Sequence, residues 1–147
     1  EILGFNDRLY EYQPFGRDMS NAVRDNMGGM LKEVTGDGAD YNDDGWALGL
    51  ASERLAKQKA SEKFLFVLSD GLPVPSGAHS SPKFELSKVV QTVMQETDQK
   101  LIGLGIGKGT GHVANYYPNS IADINVREMP DKLANVIREV IANYDTF

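Results

Sequence analysis

The residues of this chain that are best suited to chemistry are acidic, and they occur in two places. Asp70 follows the apolar run 64–68 by two positions, and segment 40–45 reads Asp-Tyr-Asn-Asp-Asp-Gly. Carboxylate and amide oxygens are the ligands that Mg²⁺ and Ca²⁺ prefer. Two interpretations stay open for Asp70, because an Asp at this position either contributes to a site or only caps its own turn.

The surroundings of Asp70 favour the site. The run 64–68 is rich in aromatic and branched side chains, which predicts a strand buried on both faces, and Ser-Asp-Gly-x-Pro at 69–73 ends it. In open parallel α/β sheets, ligands bind in the crevice outside the carboxyl ends of the strands. We therefore expect Asp70 to lie at such a crevice.

The acidic segment 40–45 matches a calcium-binding EF-hand loop only in part. Counted from Asp40, the ligand types at positions 1, 3 and 5 and the glycine at position 6 are correct, but Ala51 stands at position 12, where a bidentate Glu is needed. We therefore predict no strong calcium site. Either the Asp side chains cap a helix that begins here, or the segment supplies an oxygen ligand to a metal shared with Asp70.

Other motifs fail on their spacing or composition. The glycine-rich run 103–111 contains neither the phosphate-loop pattern nor the dinucleotide-binding pattern. His79 and His112 have no second His or Cys at ligand spacing, which argues against zinc. The serines that follow His79 lack the strand-turn-helix elbow of a nucleophile. A haloacid-type phosphatase would need two carboxylates after its strand, and Asp70 is alone there.

The elements that must position these residues predict a single α/β domain over 1–147. Apolar spacing alternates between strand and helix periods, which is typical of a doubly wound, mostly parallel sheet with helices on both faces and an antiparallel hairpin at one edge. The expected elements are a hairpin at 2–12, helices at 18–31, 46–56, 86–93 and 133–144, and strands at 64–68, 101–106 and 121–126.

Composition limits the classes of function. The chain has 147 residues, of which 41% are hydrophobic, enough for one core without covalent staples. It has no cysteine, which excludes disulfides, thiolate zinc sites and cysteine nucleophiles. The net charge of -6 and the absence of a basic run argue against nucleic acid as a partner. No apolar run approaches the roughly 18 residues of a membrane span, so we expect a soluble, cytoplasmic protein.

Several motifs also occur in an informative order. They are Ile-Leu-Gly-Phe at 2–5, Asn-Asp-Asp-Gly-Trp-Ala-Leu at 42–48, Ser-Asp-Gly-Leu-Pro at 69–73, Gly-Leu-Gly-Ile-Gly at 103–107 and Tyr-Tyr at 116–117. Together they resemble a von Willebrand factor A (VWA) domain, and most closely the C-terminal VWA domain of the cobaltochelatase subunit of cobalamin biosynthesis. The resemblance runs from Glu1 to about Ile141.

This resemblance implies a metal-ion-dependent adhesion site at the top of the sheet. The family builds it from an Asp-x-Ser-x-Ser turn after the first strand, a Thr in a helix loop and an Asp at the end of the fourth strand. Asp70 matches that Asp, and Asn42 falls at the Thr position with Asp43 and Asp44 as neighbouring substitutes. The implied ion is Mg²⁺, which needs only one or two protein carboxylates and leaves room for an acidic group of a partner.

One half of the family pattern is not found in the chain. No Asp-x-Ser-x-Ser occurs, and in the family this turn precedes the hairpin, together with the first strand and first helix. The chain also begins without Met, directly in a predicted strand. We therefore interpret 1–147 as an N-terminally truncated VWA-like domain that binds Mg²⁺ weakly by itself.

The expected function is a metal-dependent protein-protein interaction module, non-catalytic on its own, that acts with an AAA+ ATPase or a chelatase subunit. Two alternatives remain at this stage. One is a metal-dependent phosphohydrolase that uses Asp70, and the other is a structural VWA-like domain without a metal.

Overall fold

The elements of the chain alternate between helices and strands after a short hairpin. The computed structural model describes residues 1–36, 40–125, 127 and 129–143. In chain order the elements are β1 Ile2–Phe5, β2 Leu9–Gln13, α1 Asn21–Gly28, α2 Met30–Thr35, α3 Asp44–Ala56, β3 Lys63–Ser69, α4 Leu86–Glu96, β4 Gln99–Ile106, α5 Val113–Tyr116, β5 Ser120–Ile124 and α6 Met129–Asn143. Two single turns of 3₁₀ helix, Gly77–His79 and Pro82–Phe84, lie between β3 and α4.

The main sheet is parallel and has the order β3-β4-β5. Phe66 lies opposite Ile102 on β4, and Leu104 lies opposite Ile121 on β5. Side chains of β4 alternate between two hydrophobic clusters, one shared with α3, α4 and α5 and the other with α6. Helices therefore cover both faces of the sheet, which confirms the predicted α/β architecture.

The glycines of β4 have a packing role. A Cβ atom on Gly103 would lie 2.4 Å from the ring of Tyr117, which is fully buried against the strand. Only a residue without a side chain lets the aromatic ring approach so closely. The repeated glycine and the tyrosine that follows it are thus parts of one packing unit.

The hairpin forms a two-stranded antiparallel sheet of its own. Arg54 of α3 holds it, because its Nε donates to the Glu1 carboxylate at 3.0 Å and its guanidinium also pairs with Glu11. The sequence placed this hairpin at the edge of the main sheet. The ion pairs and the packing of β1 on α3 instead place it against a helix.

Three further details differ from the expected elements. The helix expected at 18–31 ends at Gly28 and resumes at Met30, because Gly29 turns back to donate to the Asn26 carbonyl. The strand β3 is less buried than expected, since only Val67 and Ser69 in it are buried and Leu68 is 43% exposed. Val126 and Tyr144, which belong to predicted elements, lie outside the described residues. Within the described part of the chain, no helix combines the length and apolarity needed to cross a membrane.

Candidate functional site

Asp70 lies at the carboxyl edge of the parallel sheet. It follows Ser69, the last residue of β3, whose hydroxyl donates to the Gly71 carbonyl at 2.8 Å and tightens the turn. The Asp70 side chain is exposed and borders a cleft that Leu68, Ser69 and Ile106, the end of β4, also line. Its position is therefore the crevice that the sequence predicted.

Asp44 reaches the same neighbourhood from α3. It is the first residue of that helix and only 3% exposed, and its Oδ2 atom has no hydrogen-bond partner among the described residues. Burial raises the pKa of Asp44 from about 3.8 to about 7, and the charges of Asp43 and Asp70 add to this effect, although a backbone hydrogen bond opposes it. Asp44 is therefore a buried carboxylate that interacts electrostatically with Asp70.

Tyr117 adds a second buried polar group that lacks a partner. Its hydroxyl has no hydrogen bond within the described structure. The pKa of Tyr117 is raised mainly by burial and, to a smaller extent, by the charge of Asp44. The Tyr117 hydroxyl therefore stays protonated. In the sequence this tyrosine is only part of the Tyr-Tyr motif at 116–117, and its burial against Gly103 could not be predicted from that motif.

Asp43 points in a different direction from Asp44. Its fully buried carboxylate accepts hydrogen bonds from the Ser76 amide at 2.7 Å, from the Ser76 hydroxyl at 2.6 Å and from Nδ1 of His79 at 2.6 Å. Both carboxylate oxygens are thus used in contacts with the connection between β3 and α4. The side chain does not cap α3 as the sequence suggested, since only its carbonyl accepts from the Ala47 amide.

His79 is held in place by aromatic rings. Its imidazole stacks on Trp46, with centroids 3.9 Å apart and planes at 11°, and meets Phe84 edge-on at 6.0 Å. The sequence predicted no functional site at His79. Its only signal was its position in a loop near Asp70, and no local pattern linked it to Asp43.

Asn42 and Gly45 contact the same connection through their backbones. The Asn42 amide donates to the Val74 carbonyl at 2.8 Å, and the Val74 amide donates to the Asn42 carbonyl at 3.1 Å. Gly45 packs so tightly that a Cβ atom there would lie 1.9 Å from the Phe84 carbonyl oxygen. Segment 42–45 and the connection after β3 therefore form one continuous contact around Asp44.

The four sequence-predicted ligands are thus arranged unequally. Asp44 interacts electrostatically with Asp70, Asn42 is paired with Val74 through its backbone, and the Asp43 carboxylate binds Ser76 and His79. Within the described residues, no group of three or more His, Asp or Glu side chains is placed to hold a metal ion. The arrangement fits part of a hard-cation site, since one buried Asp44 oxygen lacks a partner and its carboxyl group interacts electrostatically with the exposed Asp70.

Comparison with known proteins gives one clear result. No solved structure matches the chain significantly. The model of a protein family, the VWA domain of cobalamin biosynthesis protein CobT, matches residues 16–143, which include both acidic places and the whole parallel sheet. The match covers most of the chain and leaves out only the hairpin region and the last residues. The chain therefore belongs to the family of the CobT VWA domain.

Proposed function

We propose that this chain is a cation-dependent interaction module of a cobaltochelatase-type complex, with Mg²⁺ held between Asp44 and Asp70. The observation that carries the proposal is the buried, unpartnered Oδ2 atom of Asp44, a carboxyl group whose pKa is raised by burial and by the charges of Asp43 and Asp70. A buried carboxylate without a partner is costly. A cation offsets this cost and lowers the pKa of the carboxyl group toward its usual value.

The ligand set of the proposal follows from the contacts. Asp44 and Asp70 supply the carboxylates, and Asn42 supplies its amide oxygen, because its bridge to Val74 uses only backbone atoms. Asp43 holds the connection after β3 and is not a ligand in this proposal. Mg²⁺ keeps several waters and needs only one or two carboxylates, so the remaining positions stay open to water or to an acidic group of a partner.

The surface beside the site supports a protein partner. Leu72 and Val74 are 58% and 49% exposed, and Tyr41 next to Asn42 is 43% exposed. Apolar side chains that are exposed next to polar groups are typical of protein interfaces, in which an apolar core has a polar rim. We propose that the partner is the AAA+ ATPase of the chelatase, which docks on these side chains and supplies a carboxylate to the ion.

The experiment that tests this function compares four proteins in a Mg²⁺ titration by calorimetry: wild type, Asp44→Asn, Asp70→Asn and the control Asp25→Asn, which alters an exposed carboxylate of α1. We expect wild type and the control to bind with a dissociation constant on the order of 1 mM, a weak affinity for a site with few protein ligands. Both site variants should lose binding.

The same proteins are then tested for binding to the ATPase with Mg²⁺ and with EDTA. We expect binding only with Mg²⁺, and only for wild type and the control. ATPase binding that persists in EDTA or in both site variants would refute the cation bridge. A dissociation constant well below 1 mM would show that the described residues form a complete site and that the expectation of weak binding is wrong.

A further inference from the structure

The connection between β3 and α4, residues 70–85, is long and begins with Asp70. Connections of about 15 residues with little regular structure are uncommon in compact domains and usually have a function. The regular structure in this one consists of the two 3₁₀ turns and a single β-bridge between Val74 and Asn42. Its conformation must therefore be set by contacts with other parts of the chain.

Those contacts converge on segment 42–45, which includes Asp44. Val74 pairs with Asn42 through the backbone, Ser76 and His79 bind the Asp43 carboxylate, and the Phe84 carbonyl packs on Gly45. Each attachment lies within two residues of Asp44. The stretch from Asp70 to the first attachment at Val74 is short, so these contacts limit how far the Asp70 carboxylate can move from Asp44.

The central attachment consists of Asp43, Ser76 and His79, which we name the loop clamp. The Asp43 carboxylate is fully buried and accepts three hydrogen bonds, all from the connection. Because an ionised carboxylate can only accept, Nδ1 of His79 carries the hydrogen that joins them. The stack on Trp46 fixes the plane of the imidazole ring, so the donor is aimed at Asp43 before any ligand arrives.

We propose that the loop clamp positions the cation ligands: it holds Asp70 at the right distance from Asp44 without contacting the ion. The part of this inference that concerns cation binding rests on the proposed function. Residues that orient metal ligands through hydrogen bonds typically change metal affinity by about 10- to 100-fold when they are mutated. Loosening the clamp should therefore weaken cation binding although both carboxylates remain.

Three substitutions of His79 test the clamp. An Asn side chain places its amide nitrogen near the position of Nδ1, whereas a Gln side chain places it near Nε2 and Ala has no donor. None of the three keeps the ring stack on Trp46, so the comparison isolates the hydrogen bond to Asp43. The readouts are Mn²⁺ affinity by electron paramagnetic resonance and hydrogen exchange of the Ser76 amide, both on the whole chain.

We expect His79→Ala and His79→Gln to weaken Mn²⁺ binding roughly tenfold and to speed exchange at Ser76, while His79→Asn stays within about twofold of wild type in affinity. Ser76→Ala is a milder variant that removes one hydroxyl donor. It replaces His79→Ala if that variant does not fold, and it should lower Mn²⁺ affinity in the same direction but by less.

Unchanged Mn²⁺ affinity in the Ala variant, or an equal loss in the Asn, Gln and Ala variants, overturns the inference and leaves the proposed function standing. If wild type itself binds no Mn²⁺, the proposed function fails instead. Hydrogen exchange of the Ser76 amide then decides whether the loop clamp exists. If exchange is faster in His79→Ala than in His79→Asn, the loop clamp still anchors the connection. If the two variants exchange at the same rate, the loop clamp is refuted.

Discussion

The buried Asp44 carboxyl predicts a distinct dependence of stability on pH. In the unfolded chain this group ionises near pH 4, whereas in the folded protein its pKa is about 7. Between these values the unfolded state has released a proton that the folded state keeps. The free energy of unfolding therefore falls as pH rises from about 4 to about 7, and the favourable contribution present at low pH is lost above that.

The size of this effect follows from the two pKa values. Each pKa unit corresponds to about 1.4 kcal/mol, so the rise from 3.8 to about 7 amounts to a loss of roughly 4 kcal/mol across the range. An Asn at position 44 has a similar shape and cannot ionise. The free energy of unfolding of Asp44→Asn, taken relative to that of wild type, should thus rise by about 4 kcal/mol between pH 4 and pH 8. This rise does not depend on the difference in stability between the two proteins at pH 4.

The assay is urea unfolding of both proteins in EDTA at several pH values. Carboxylates that do not interact with Asp44 titrate in both proteins and cancel in the difference, which leaves the contribution of Asp44 together with its interactions with Asp43 and Asp70. Parallel pH profiles for the two proteins would refute the reasoning, because they would mean that position 44 carries no shifted carboxyl group. A difference with the opposite slope would mean that the folded state stabilises the Asp44 carboxylate, as an ion pair would.

Two further predictions concern the fold. Gly103→Ala should lower the free energy of unfolding by about 1–3 kcal/mol, since its Cβ would clash with the buried Tyr117 ring. Urea unfolding measures this loss. The control is Gly77→Ala, where a Cβ meets nothing within 4 Å, and it should change the free energy of unfolding far less. Arg54→Gln should lower the free energy of unfolding by about 1 kcal/mol or less, because the ion pair of Arg54 with Glu1 is partly exposed. It should nevertheless speed hydrogen exchange of the β1 and β2 amides. Unchanged exchange there would contradict the role of Arg54 in holding the hairpin.

The sequence predicted the parts of the fold that depend on local spacing. The continuous apolar run of β4 indicates a strand covered on both faces, and the stripe of α6 at Leu133, Val136 and Val140 indicates a helix with one buried face. The position of Asp70 was predictable for a similar reason. A sharp turn after a parallel strand places the next residue at the carboxyl edge of the sheet.

The division of roles between Asp43 and Asp44 could not be predicted. The two residues are identical and adjacent, yet Asp43, the residue before α3, binds Ser76 and His79, whereas Asp44, the first residue of α3, keeps one carboxylate oxygen without a partner among the described residues. The partners of Asp43 lie 33 and 36 residues further along the chain. No local pattern encodes contacts across such separations, and the same limit explains why the pairing of Arg54 with Glu1 was missed.

The stack of Trp46 on His79 has a practical consequence. Trp46 is the only tryptophan in the chain, so all indole fluorescence comes from a ring in van der Waals contact with one imidazole. Any movement of the connection after β3 that withdraws His79 exposes that indole face to water and alters its emission. The protein thus carries an intrinsic optical reporter, which needs no label, at the point where this connection meets α3.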